Sequence, residues 1–232
     1  MNTRLLILFF IAAITGLSAC KKNNDVPTVT STAFLNIVNA SPDTVNFYLN
    51  GTRLNNNSNL YPAGSSGYFN VTDGQQNYQV KKIFNPLTNS VQTLFTIPLK
   101  LDSAGDYSLF ITDGTLANTF STTDVLLAVP DSLAATNCYV RFVNASPGAG
   151  NLDMTVGDTV KFTNMPFKSA SNFVLVGASG LKPISVYQTG STTPIVSGHL
   201  AMIPGYSYTF YSYGKLNGTG NSAFSVGSNV YN

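Results

Sequence analysis

His199 is the chain's single histidine, set in Val196-Ser197-Gly198-His199-Leu200-Ala201-Met202. General-base or nucleophilic chemistry near neutral pH would start from such a residue. No Gly-x-Ser-x-Gly elbow occurs, and Cys138 is far from His199 in sequence, so the nucleophile–base pairing of acyl-transfer sites is missing. A lone histidine among alternating apolar residues reads as a surface or hydrogen-bonded strand residue. The acidic residues are ten Asp and no Glu. Two carboxylates flanking a cleft could hydrolyse a glycoside, but Asp43, Asp73, Asp102, Asp106, Asp113 and Asp158 sit where turns need Asp. Metal chemistry finds no His pair, no Cys cluster and no Asp-x-Asp-x-[Asp/Asn]-Gly loop. Calcium held by turn carboxylates and carbonyls between the two halves of the chain is the one metal reading left open. The sequence therefore assigns no catalytic residue, no metal ligand and no cofactor.

Aromatic residues offer a binding chemistry instead. In Tyr206-Ser207-Tyr208-Thr209-Phe210-Tyr211-Ser212-Tyr213, strand alternation puts Tyr206, Tyr208 and Phe210 on one face and Tyr211 and Tyr213 on the other. One set must fill a core. The other, Tyr211 and Tyr213, is the candidate ligand platform or a mere cover for the sheet. The absence of Trp counts against a sugar-stacking surface. A net charge of +2 gives no electrostatic footprint for nucleic acid. Asp43-Thr44-Val45, Asp102-Ser103-Ala104, Asp131-Ser132-Leu133 and Asp158-Thr159-Val160 fit an Asp-[Ser/Thr]-apolar pattern of bacterial O-glycosylation.

The N-terminus supplies an address. Arg4 precedes an apolar run from Leu5 to Leu17 that ends in Leu17-Ser18-Ala19-Cys20. At 13 residues the run is too short to cross a bilayer core of about 30 Å as a helix. Leu-Ser-Ala-Cys resembles the lipobox of bacterial lipoproteins. That resemblance implies cleavage before Cys20, a diacylglycerol thioether on its sulfur and a further acyl chain, palmitate for instance, on its amine. Multiple chains anchor stably where one would not. Residues 1–19 are then a signal peptide and 20–32 a polar lipidated tether. The expected place is the outer membrane of a cell envelope, with the periplasmic or surface face left open. Cys138 is left without a disulfide partner and reads as a small buried hydrophobe at a strand start.

The elements that would carry any site come in duplicate. Val38-Asn39-Ala40-Ser41-Pro42 returns as Val143-Asn144-Ala145-Ser146-Pro147, 105 positions later. Strand-like alternation follows each copy in the same order. Leu35 and Ile37 fall on Val140 and Phe142, Asn36 on Arg141, and Val45, Phe47 and Leu49 on Leu152, Met154 and Val156 after a two-residue insertion. Asn50-Gly51 is a tight-turn signal. No window holds a 3.6-residue period. The pattern predicts an all-β chain of two tandem antiparallel β-sandwiches, immunoglobulin-like in the broad sense, with about seven strands each, over 33–130 and 131–232. Pro42 and Pro147 cannot donate to a ladder, so each motif should be a strand exit secured by Asn and Ser side chains.

The first strand ending in Val-Asn-Ala-Ser-Pro, the following alternating strand, and a Gly-x-Tyr (Gly105-Asp106-Tyr107) or Gly-x-x-Tyr (Gly205 to Tyr208) near each end resemble domain-of-unknown-function family 4397. The resemblance implies a β fold in tandem and an envelope location, and it transfers no catalytic residue. Asn46 replaces the acidic residue kept as Asp153, and Gly148-Ala149-Gly150 stretches the second turn. The expected function is a non-enzymatic, membrane-anchored envelope lipoprotein acting as a binding or scaffolding module. Its expected partners are the bilayer, through acylated Cys20, and a protein or glycan. The alternative is a carbohydrate-binding accessory lipoprotein for polysaccharide capture.

Overall fold

Alternation and turn chemistry act locally to make short strands, and their apolar faces then have to find cover. A computed structural model describes residues 31–55, 58–85, 90–125, 127–157 and 160–231. The signal peptide, Cys20 and the tether as far as Thr30 lie outside the described residues. The first half holds β1 (Thr32–Asn39), β2 (Val45–Leu49), β3 (Thr52–Arg53), β4 (Ser65–Thr72), β5 (Gly74–Asn85), β6 (Ser90–Leu101), β7 (Asp106–Ile111) and β8 (Phe120–Asp124). A single helical turn, α1 (Asp131–Ala134), follows. The second half repeats the series as β9 (Asn137–Asn144), β10 (Leu152–Val156), β11 (Val160–Met165), β12 (Val174–Gly177), β13 (Leu181–Gln188), β14 (Val196–Ala201), β15 (Ser207–Tyr213) and β16 (Ser225–Tyr231).

Each half is a sandwich of two four-stranded sheets. The orders are β4-β1-β7-β8 over β3-β2-β5-β6, and β12-β9-β15-β16 over β11-β10-β13-β14. Strand for strand, the two orders are the same, so the sequence repeat is a repeat of topology. Two details differ from the sequence expectation. Among the described residues there are eight strands per half, and one pair in each is parallel: β1 with β7, and β9 with β15. The parallel pair arises because β6 ends at the edge where β1 begins. The turn through Ala104, whose N–H donates to Thr32 O at 2.8 Å, sends β7 up beside β1. The remaining ladders are antiparallel.

The register read from alternation is the register observed. Leu35 and Ile37 lie in the first core with Phe47, Tyr78 and Leu109, and the Phe47 and Tyr78 rings stack at 4.8 Å. Val140 and Phe142 lie in the second core with Met154, Val186, Tyr208 and Phe210. Asn50 and Gly51 take φ of 50° and 82°, the left-handed pair that a two-residue hairpin needs.

The opposite faces of β1, β7, β9 and β15 are largely covered, although Phe34 on β1 is 40% exposed. Val38, Ala40 and Phe110 from the first half and their repeat counterparts Val143, Ala145 and Tyr211 form a third buried cluster. Equivalent residues thus meet each other, the arrangement of a two-fold dimer interface built within one chain. Residues Ser31–Asn232 accordingly form one compact unit. Beside this cluster lies a buried ion pair, Arg141 Nη2 to Asp124 Oδ1 at 2.7 Å, with side chains 3% and 0% exposed. Arg141 Nε donates to Thr209 Oγ1 at 2.8 Å, and the guanidinium lies 4.8 Å from the Phe173 ring centre. Asp124 also accepts from Tyr68 Oη at 2.5 Å, Ser108 Oγ at 2.5 Å and Thr122 Oγ1 at 2.7 Å. Burial, then the neighbouring Tyr231 and Asp124, push the Tyr68 phenol far above its ordinary range.

Candidate functional site

The side chains of the repeated Asn-Ala-Ser-Pro motif are engaged chiefly with nearby backbone. Asn39 is fully buried. Its Nδ2 donates to Asp43 O at 2.7 Å and Leu60 O at 2.8 Å, while Oδ1 accepts from Ser41 N at 3.1 Å and Ser41 Oγ at 2.7 Å. Asn144 repeats this, donating to Gly150 O at 3.0 Å and Met165 O at 2.9 Å and accepting from Ser146 N at 3.2 Å and Ser212 Oγ at 3.0 Å. Both donors and the acceptor oxygen of each amide are occupied, which leaves nothing for a ligand. The motif is a bracket that fixes the strand exit.

The brackets shape one end of the molecule. Pro42 and Pro147 line the same small cleft with Thr112, Asp113, Gly214 and Lys215, so the motif turns of both halves lie together. β1 enters at the opposite end and runs toward them. Burial alone would raise the Asp113 carboxyl, but hydrogen bonds from Thr115 and Asn118 and the nearby Lys215 outweigh it and hold the group below its usual value. On this end the second half also carries an open cup of about 590 Å³, lined by Asn151, Asn164, Gln188, Thr189, Ser191 and the Ala149–Gly150 backbone. Beneath it Asp153, 8% exposed, accepts from Asn164 N and Thr189 Oγ1, each at 2.7 Å.

The residues singled out by sequence fall as follows. Tyr211 is fully buried; its hydroxyl donates to Ala63 O of the first half at 2.8 Å, and its ring meets Phe110 at 6.0 Å. It therefore cannot serve as an exposed platform, a correction with a plain cause: the second half's sheet is covered by the first half's. Tyr213 is half-buried, packs on the same cluster and lies 6.1 Å from the Tyr211 ring. Tyr206, Tyr208 and Phe210 take the other face, in the second core. Burial pushes the Tyr211 phenol well above its ordinary range, with Tyr213 and Tyr231 adding to it. His199 is exposed on β14, on the rim of a groove of about 180 Å³ with Ile184, Leu200, Phe210 and Val226. Cys138 is fully buried, 3.6 Å from Met202 Sδ, and burial pushes its thiol up to about 11. Cys20 lies outside the described residues. Among the described residues no three His, Cys, Asp or Glu side chains stand together as a metal-binding group.

Sequence reasoning missed Asp124 and the cup. Asp124 follows Phe120-Ser121-Thr122-Thr123 in a strand-like piece, and nothing local distinguishes it from a surface Asp. The cup left a trace, the two-residue insertion at Gly148-Ala149-Gly150.

Comparison with known proteins adds the following. No curated protein matches the chain. Several solved structures are similar at low identity, three of them as follows. A family 26 carbohydrate-binding module from Eubacterium rectale Amy13K, solved with maltoheptaose, is 12% identical with a TM-score of 0.27, over 85% of this chain and 96% of that one. The Bacillus anthracis TIE protein is 11% identical with a TM-score of 0.24, over 78% of this chain and 33% of that one. A candidate cell adhesion protein from Bacteroides eggerthii is 9% identical with a TM-score of 0.23, over 87% and 95%. The family profile described as "Domain of unknown function (DUF4397)" matches residues 33–155 and again 138–226, two overlapping matches that follow the two copies of the repeat. The chain therefore belongs to the DUF4397 family.

Proposed function

We propose that this chain is a non-enzymatic, lipid-anchored lipoprotein of the bacterial cell envelope, a rigid binding or scaffolding module held by acylated Cys20 at the outer membrane. The observation that carries the reading is directional. The first strand begins at Thr32, twelve positions after Cys20 in sequence, and runs from its first residue toward the end of the sandwich where both motif turns and the polar cup lie. A strand rise near 3.3 Å per residue makes β5, from Gly74 to Asn85, about 36 Å long, which sets how far that end stands from the entry point. The fused halves supply rigidity, so the distal loops are presented in fixed relation. Among the described residues no helix is long and apolar enough to cross a membrane, and Cys20 supplies the anchor in this reading.

Two measurements test it. Wild-type chain should take up labelled palmitate and sediment with envelopes, and Cys20→Ser should do neither. Cross-linking of intact envelopes followed by pull-down should recover a discrete partner with the wild type. Palmitate-free wild-type protein in the soluble fraction would overturn the anchor. Envelopes that yield only the chain itself would overturn the binding role.

A further inference from the structure

The two halves share topology and register, so a place where they differ without a structural need is informative. The strongest such difference is the stretch between the motif proline and the next strand. In the first half Pro42 is followed by Asp43-Thr44 and then β2; in the second, Pro147 is followed by Gly148-Ala149-Gly150-Asn151 and then β10. Gly148 and Gly150 take φ of 80° and 73°, values a side chain would resist. The extra residues loop outward and form one wall of the cup. The opposite wall is the β13–β14 turn, with Gly190 at φ 87°.

The cup is built and held. Asn151 Nδ2 donates to Asn164 Oδ1 at 2.7 Å, Thr189 N donates to Asn151 O at 2.9 Å, and Asp153 ties Asn164 to Thr189 from below. Asn164 itself sits at φ 54°, a left-handed conformation that Asn tolerates better than most residues. Its lining carries no Lys, Arg, Asp or Glu and no large apolar side chain. What it presents to solvent is carboxamides, hydroxyls and bare backbone, because Asn151, Asn164, Gln188, Thr189 and Ser191 are all exposed.

We infer that this cup is a binding site for a neutral saccharide, a ligand class chosen by the lining. Each carboxamide offers a donor and an acceptor side by side, which matches the adjacent hydroxyls of a sugar ring. An uncharged lining offers no ion pair to phosphate or carboxylate. An extended peptide would need apolar pockets for its side chains beside a strand edge, and the lining has no large apolar side chain. Without an aromatic ring in the cup, affinity for a monosaccharide is weak, and an oligomer spanning the cup binds better. The inference rests on the binding-module reading and names its ligand class and place.

The test is an NMR titration of the ¹⁵N-labelled mature chain carrying Cys20→Ser, with maltohexaose, cellohexaose, xylohexaose and mannohexaose in turn. At least one should shift the side-chain amides of Asn151, Asn164 and Gln188 and the backbone of 149–151 and 188–191. Gln188→Ala with Ser191→Ala should then weaken that binding about tenfold, while His199→Ala, in the separate groove, leaves it unchanged. No shift with any of the four sugars, or shifts the double variant does not weaken, would overturn the site. A partner recovered in the envelope pull-down together with silent sugar titrations refutes the cup alone and leaves the binding role standing.

Discussion

Asp124→Asn separates an ion pair that holds two sandwiches together from one that merely decorates them. In the wild type the carboxylate has no exposed surface, and it faces four donors, one of which is a guanidinium that is 3% exposed. Replacing it leaves Arg141 charged, buried and facing a neutral amide. Loss of one partner from such a pair costs about 3–5 kcal/mol, because the survivor keeps its desolvation cost. At about 2–4 °C per kcal/mol for a body of this size, melting should fall by roughly 6–20 °C. Arg141→Met should cost a similar amount, since it strands the carboxylate. The double variant should recover most of the loss, because a buried pair replaced by uncharged groups of similar volume is often close to neutral. Urea unfolding of the four proteins gives the coupling energy directly. Additive losses, or a single-variant loss below about 1 kcal/mol, would mean that the pair is solvated and that the halves are not locked there.

Other expectations can be checked in the same assay. Tyr211→Phe removes one hydrogen bond, to Ala63 O, and should cost about 1 kcal/mol; Tyr211→Ala empties a fully buried site and should cost about 3–5 kcal/mol. An unchanged melting temperature for Tyr211→Ala would restore the exposed-platform reading. Asn144→Ala strands the carbonyls of Gly150 and Met165 and should cost at least about 2 kcal/mol, with Asn39→Ala matching it in the first half; a neutral result in either would show that the motif is not a bracket. Asp106→Asn should raise melting near neutral pH. Burial and the facing Asp124 raise the Asp106 carboxyl above its ordinary 3.8, so its favourable contribution is complete below the unfolded value and is lost as pH rises through the folded one. The gain from Asn should therefore disappear in acid, and a gain equal at both pH values would contradict it.

The duplication, the strand faces and the turns were legible in the residues alone. Leu35 and Ile37 had to share a face because side chains alternate along a strand, and Asn50-Gly51 had to reverse the chain because only such residues tolerate two left-handed conformations in a row. The sequence also pointed correctly to Asn39 and Asn144 as side chains that bond local backbone. What it could not decide was what covers each face. Alternation placed Asn36, Arg141 and Tyr211 opposite the cores, where solvent is the usual neighbour for a polar residue. In the folded chain that space is filled by the other half, so Arg141 is buried against an Asp seventeen residues earlier and Tyr211 bonds a carbonyl 148 residues away. Pairing of that kind depends on how two finished sandwiches dock, a long-range event that leaves no periodicity in the strands taking part. The cup is intermediate: its glycine-rich insertion is visible in the sequence, while the convergence of Asn151, Asn164 and Gln188 on it exists only once β10, β11 and β13 lie side by side.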